Sequence, residues 1–277
     1  MTSQRRWAGV FVTILGLGCA APAPPPATDD PGGTMAAGVP PIPDGPLGAS
    51  IRRGLAILSA THDSLPAQVG NALNCTSCHL DQGRRPDAMP WIGVYSRFPQ
   101  YRGREARVAT IEDRINGCLL RSMNGSRLPA DDDRMRDMVA YMAYLSIGVA
   151  PGDTTIGRGV PKPSITSGDT VHGAAIWQQE CARCHGTNGE GTAAAPPTWG
   201  PDSYNIGAGM ARLRTAAGFI RHNMPFDRPG TLSDQDAAAV AAYLVSRPRP
   251  DFPGKEHDWP NGDAPPDAAY PTLPSPR

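Results

Sequence analysis

From Leu47 the chain falls into a helical rhythm. Ile51, Leu55 and Leu58 recur on one face, with Arg52 and Arg53 on the other, which predicts an amphipathic helix. Further on, Met135, Met138, Val139, Met142 and Leu145 keep the spacing of a core-facing helix. The acidic run Asp131, Asp132 and Asp133 at its start suits the positive end of a helix dipole, and Gly148 and Pro151 are stop signals. The plan then recurs. A short helix is predicted around Gly173, Ile176 and Trp177, and Ser233 caps a helix bearing Ala237, Val240, Ala241 and Leu244. Between each pair of helices lies a Cys-x-x-Cys-His pentad, ending at His79 and His185. Tyr141 follows His79 by 141 − 79 = 62 residues and Tyr243 follows His185 by 243 − 185 = 58, so the chain reads as a diverged, mostly α internal repeat.

Composition sharpens the boundaries. Gly 31 and Pro 31 together exceed a fifth of the 277 residues, too many for one packed body. They gather in 20–46, read as a Pro/Ala/Gly-rich tether, in 151–167, read as a linker, and in 251–277, read as a Pro-rich tail. That leaves an N-terminal domain at 47–150 and a C-terminal domain at 168–250. The formal net charge of +0 offers no basic field for nucleic acid, and none is expected as a partner. Residues 1–19 read as an export signal, with Arg5 and Arg6 before the apolar stretch Trp7–Leu17, too short to span a membrane. Leu15-Gly16-Leu17-Gly18-Cys19 resembles a lipoprotein cleavage site, although Gly16 stands where Leu is usual. The alternatives are a lipid anchor at Cys19 and ordinary cleavage just after it, for instance after Ala20. Either way the expected compartment is the periplasm.

The pentads carry the chemistry. In Cys75-Thr76-Ser77-Cys78-His79 and Cys181-Ala182-Arg183-Cys184-His185, two thiols three apart reach the two vinyl groups of a haem and the next His falls under the iron. Zinc would need a second nearby pair in each domain, and a redox Cys-x-x-Cys would need a βαβ context. Two covalently bound haem c groups are therefore expected, in two tandem class I cytochrome c domains. The second domain offers Met224, before Pro225, as sixth iron ligand, with His222 or mere packing of Met224 as rivals. In the first domain the sixth position stays open between Met89, Met123 and Cys118. Cys118 is either a buried small hydrophobe or a functional thiol, set among Arg97, Arg102, Arg104, Arg107, Arg114 and Arg121.

At these residues a family resemblance enters. Cys75–His79, Tyr95–Arg102, Ile111–Cys118, Arg121–Gly125 and the tail Asp251–Asp263 resemble di-haem thiosulfate dehydrogenases. The resemblance implies His79 and Cys118 as axial ligands of the first iron, and His185 and Met224 of the second. Where some members carry a Lys beside that Met, this chain has Asn223. It implies Arg104 and Arg114, with Ser122 nearby, as substrate residues, and thiosulfate and tetrathionate as substrate and product. A small cytochrome c or a high-potential iron–sulfur protein is the expected electron acceptor. Two other readings stand beside it. One is a non-catalytic di-haem electron carrier, in which Cys118 has no role. The other is a relative of the SoxAX cytochromes, which also use a cysteine-ligated haem.

Overall fold

The computed structural model describes residues 40–154 and 159–272. The export signal, Cys19 and most of the tether lie outside the described residues. No described helix is long and apolar enough to cross a membrane.

The first repeat is built on two crossing helices, α1 (Gly45–Ser59) and α3 (Asp133–Tyr144), with α2 (Ile111–Arg121) between them in sequence. Asp132 caps α3 by accepting from the Arg134 N–H at 2.9 Å, so the acidic run ends where the helix begins. Met135, Met138 and Met142 of α3 are buried with Ile51 and Leu58 of α1, on the face that the apolar rhythm predicts. The helix ends at Tyr144, before the Gly148 stop. Two elements escape that rhythm. One is a short antiparallel hairpin, β1 (Gln100–Arg102) and β2 (Arg107–Ala109), with Tyr101 opposite Val108. The other is α2, opened by Thr110, whose hydroxyl accepts from the Asp113 N–H while the Asp113 carboxylate accepts from the Thr110 N–H.

The second repeat follows the same scheme. Helix α4 (Thr170–Ile176) runs on through a wide turn into the Cys181–His185 pentad, and crosses α6 (Asp234–Val245). Helix α5 (Leu213–Asn223) packs on α6. Ser233 caps α6 as predicted, its hydroxyl accepting from the Asp236 N–H at 3.0 Å.

Glycines let both crossings close. A Cβ added at Gly54 of α1 would lie 1.9 Å from the Asp137 carbonyl oxygen of α3, and one at Gly173 of α4 would lie 2.0 Å from that of Ala239 in α6. The two repeats share this contact although their sequences have diverged. They also share core: Tyr204, Ala208 and Ala211, from the chain after the second pentad, are buried in the first repeat's cluster.

Asp137 fastens the first crossing from its other side. Its carboxylate accepts from Arg53 Nε and Nη2, both at 2.8 Å, and from the Ser50 hydroxyl at 2.6 Å. Burial works against its ionisation, but these bonds outweigh it and hold the carboxyl below its ordinary value. A depressed folded-state pKa stabilises fully above the ordinary carboxylate range and stops doing so as pH falls through the folded value. The Tm of the wild type is therefore expected to fall more steeply below about pH 4 than that of Asp137→Asn. Parallel curves would dismiss this contribution. Arg53 is 60% exposed, so solvent screening keeps the difference small.

Candidate functional site

Each pentad is held by its own turn. In the first, the Cys75 N–H donates to the Thr61 hydroxyl at 3.0 Å. His79 Nδ1 sits 2.5 Å from the Met89 carbonyl oxygen, and its ring lies 4.8 Å from that of Trp91. In the second, His185 Nδ1 sits 2.8 Å from the Pro196 carbonyl oxygen, with the Trp177 ring 5.9 Å away. A carbonyl only accepts, so Nδ1 is the protonated nitrogen in both rings. Nε2 is left with its lone pair, the arrangement of an imidazole that ligates a metal. Cys75, Cys78, Cys181 and Cys184 are all free of disulfides. Burial pushes the thiols of Cys75, Cys78 and Cys181 up to about 12. They are neutral thiols in this environment. Both pentads thus fit covalent haem with the His on the iron.

Cys118 is different. It sits one helical turn after Arg114 on α2, and Arg114 Nη1 lies 2.7 Å from its sulfur. The His79 ring is within hydrogen-bonding reach of the same sulfur. Burial resists ionisation here too, yet the charge of the Arg114 guanidinium overcomes it, and the thiol falls to about 6. The Cys118 sulfur is then anionic at neutral pH, with the His79 ring close by.

A cavity of about 350 Å³ is lined by Arg114, the partner of Cys118, and by its neighbour Gly117. Seven of its lining residues are arginines, against two carboxylates, Glu105 and Asp113. The predicted Arg104, Arg114 and Ser122 all line it, as do Arg102, Arg107 and Arg121. Arg107 is turned to Asp113 at 2.8 Å, and Arg102 to Glu105 at 3.6 Å. Arg104 is almost out of water; burial lowers its guanidinium to about 10, still charged at neutral pH. Reading the sequence missed Arg127, Arg212 and Trp259, which also line the cavity. Arg212 comes from the second half of the chain, and Trp259 lies in the Asp251–Asp263 tail, whose sequence carries no sign of where it packs.

The remaining predicted residues sort by burial. Met123 is 2% exposed and packs in the first core, and Met89 serves through its carbonyl. Met224 ends α5 and packs against the second core. Its neighbour Asn223 is fully buried, and Asn223 Nδ2 donates to the Asp87 carbonyl at 2.9 Å. That bond ties the Met224 loop to the loop behind His79. His222 faces Asp87 at 4.0 Å. His172 pairs with Asp236 at 2.8 Å, and His62 Nδ1 lies 2.8 Å from the Asn71 carbonyl.

Comparison with known proteins agrees with this layout. Residues 67–150 match the family described as SoxA/TsdA, cytochrome c domain, and residues 168–244 match that described as cytochrome c oxidase, cbb3-type, subunit III. The fold is thus two mostly helical cytochrome c domains, a class of domain that binds haem c covalently. A thiosulfate dehydrogenase of Psychrobacter arcticus is 46% identical over 233 residues, 82% of this chain and 71% of the relative. One from Allochromatium vinosum is 46% identical over 222 residues, 76% of this chain and 82% of the relative. The solved structure of the thiosulfate dehydrogenase TsdBA from Marichromatium purpuratum, in its as-isolated form, superposes with a TM-score of 0.74 at 37% identity. That match covers 82% of this chain and 53% of the other, so the chain spans about half the length of the solved one. On the identity and coverage of these relatives, the chain belongs to the thiosulfate dehydrogenase family.

Proposed function

We propose that this protein is a periplasmic di-haem enzyme that couples two thiosulfate ions into tetrathionate. The observation that carries the reading is the arginine cavity beside an anionic cysteine. Two thiosulfate dianions repel each other, and meeting requires fixed positive charge in a site shielded from water. Guanidinium forks match the oxygens of the sulfonate end and leave the outer sulfur free to point at Cys118. Arg104, Arg114 and Ser122 take that role, with Arg121 added from the cavity wall.

The chain's own part in the reaction balances simply. The Cys118 thiolate, no longer engaged with the iron that it would hold at rest, forms a bond to the outer sulfur of one thiosulfate, and the two electrons lost leave for the external carrier. A second thiosulfate then attacks that outer sulfur. Its displacement returns the Cys118 thiolate and frees tetrathionate. Arg114 holds the thiolate charge before and after. Run backwards, the same steps reduce tetrathionate.

His79 and Cys118 would hold the iron of the first haem, and His185 and Met224 that of the second. Each haem, when bound, supplies a one-electron acceptor, so two match a two-electron oxidation. An external carrier, a small cytochrome c or a high-potential iron–sulfur protein, takes the electrons on. The sequence motif ending at Cys19 supports either a lipid anchor or a free periplasmic form.

Low-temperature EPR of the oxidised protein tests the ligand assignment. A low-spin thiolate-ligated signal that vanishes in Cys118→Ser supports it. A spectrum that the substitution leaves unchanged sinks it, and the electron-carrier reading then leads. Met224→Ala should lower the reduction potential of one haem and leave the other in place, because a thioether ligand raises the potential. Redox titration reads this directly, and two unshifted potentials would return Met224 to packing.

A further inference from the structure

We propose that Asp258 is a positioning residue for the substrate arginines, and that the tail carrying it forms a fixed wall of the thiosulfate site. The proposal rests on the reading above that the arginine cavity takes thiosulfate. Asp258 is 5% exposed. Its Oδ1 accepts from Arg121 Nη2 at 2.5 Å, and its Oδ2 accepts from the Tyr270 hydroxyl at 2.5 Å. The same Oδ2 lies 3.8 Å from Arg104 Nη1. One carboxylate thus faces two arginines that line the cavity, while lying behind them itself.

The rest of the tail closes round the same pair. The Arg104 guanidinium lies 4.4 Å from the centre of the Trp259 ring, and the Trp259 N–H donates to the Arg104 carbonyl at 2.8 Å. Arg104 Nη1 also donates to the Gly207 carbonyl at 2.6 Å. Arg121 lies 4.3 Å from the centre of the Phe252 ring. Trp259 adopts a φ of +55°, in the left-handed region that a bulky residue enters only when its surroundings hold it there. Both arginines therefore have one face on an aromatic ring and one edge on Asp258. Such a side chain has many rotamers to lose, and holding it beforehand removes that loss from the binding step. Arg121 Nε and Arg212 Nε are buried without protein partners, and both residues line the cavity. These are unspent donors of the kind that an oxyanion satisfies.

Charge and geometry make opposite predictions here. Asp258 cancels part of the positive wall. If charge alone governed affinity, its removal would tighten the binding of a dianion. If Asp258 aims the arginines, its removal loosens binding although the cavity becomes more positive. The experiment is calorimetric titration of thiosulfate into the full-length holoprotein, as wild type, Asp258→Asn and Asp258→Glu. The expected result is a Kd raised about tenfold in Asp258→Asn and partly restored in Asp258→Glu. The haem absorption spectra should match the wild type. In turnover KM should rise with Kd, and kcat should stay within about twofold, as for an interaction made equally in the ground and transition states.

A Kd that falls or does not change in Asp258→Asn overturns the proposal. Should that variant misfold, Tyr270→Phe removes only one hydroxyl from Asp258. A Kd that then rises by about twofold supports the clamp, and an unchanged one overturns it. Binding of thiosulfate by a wild type that does not turn it over would remove the proposed activity and leave the clamp to be judged by Kd. Absence of binding by the wild type would remove both.

Discussion

Cys118→Ser is expected to lower kcat/KM for thiosulfate by at least about a thousandfold, with haem still attached at both pentads. Serine keeps the size and hydrogen-bonding reach of the side chain but not its chemistry. The thiol is anionic near neutral pH because the Arg114 guanidinium outweighs burial. A hydroxyl in the same place starts several pH units higher and stays neutral. It also forms no sulfur–sulfur bond, so the first thiosulfate has no partner to join. The fold should survive, because Cys118 is only partly buried and the α2 core face is carried by Ile111, Ile115 and Leu119. The check is a steady-state thiosulfate assay beside a haem count on the same sample. Turnover above a few per cent of wild type, with two haems present, would show that Cys118 is not the reacting sulfur.

The largest effect on stability is expected from Gly54→Val and Gly173→Val. A new side chain at either position meets backbone, not a movable side-chain end: the Asp137 carbonyl at 1.9 Å or the Ala239 carbonyl at 2.0 Å. The helices must then part, and the apolar face each buries is opened along the crossing. Overpacking of this kind costs about 3 kcal/mol or more per site. For a cooperative unit of this size that lowers Tm by roughly 6–12 °C, which thermal unfolding followed by circular dichroism would record. A shift under about 3 °C at both positions would mean that the crossings flex far more readily than packed helices do.

How much of this could be read from the chain depends on the range of each interaction. The apolar rhythm of α1 and α3, the Ser233 cap and the two pentads are local, and each lies where the pattern puts it. Helix α2 was legible in principle: Thr110 and Asp113 form a capping box three residues apart. Its motif drew attention as a cysteine among arginines, and its helical period went unread. Recognising that period would have shown that Arg114 and Cys118 meet. The contacts that hold the cavity's arginines from behind were not legible. Arg121 meets Asp258 across 137 residues, and Arg104 meets Gly207 across 103. The crossing glycines look like poor helix formers until the partner helix is known.

The shared core has a consequence for modularity. Two matched segments and a Pro/Gly-rich linker invite the view that each half could be expressed, swapped or grafted as an interchangeable part. Tyr204, Ala208 and Ala211 sit in the first half's interior, although they come from the second half of the chain. The described residues 40–154 and 159–272 accordingly belong to one compact unit. A half cut away at the linker would take with it side chains that the other needs to close its interior. What began as two copies of one plan now inherits, folds and fails as a single part.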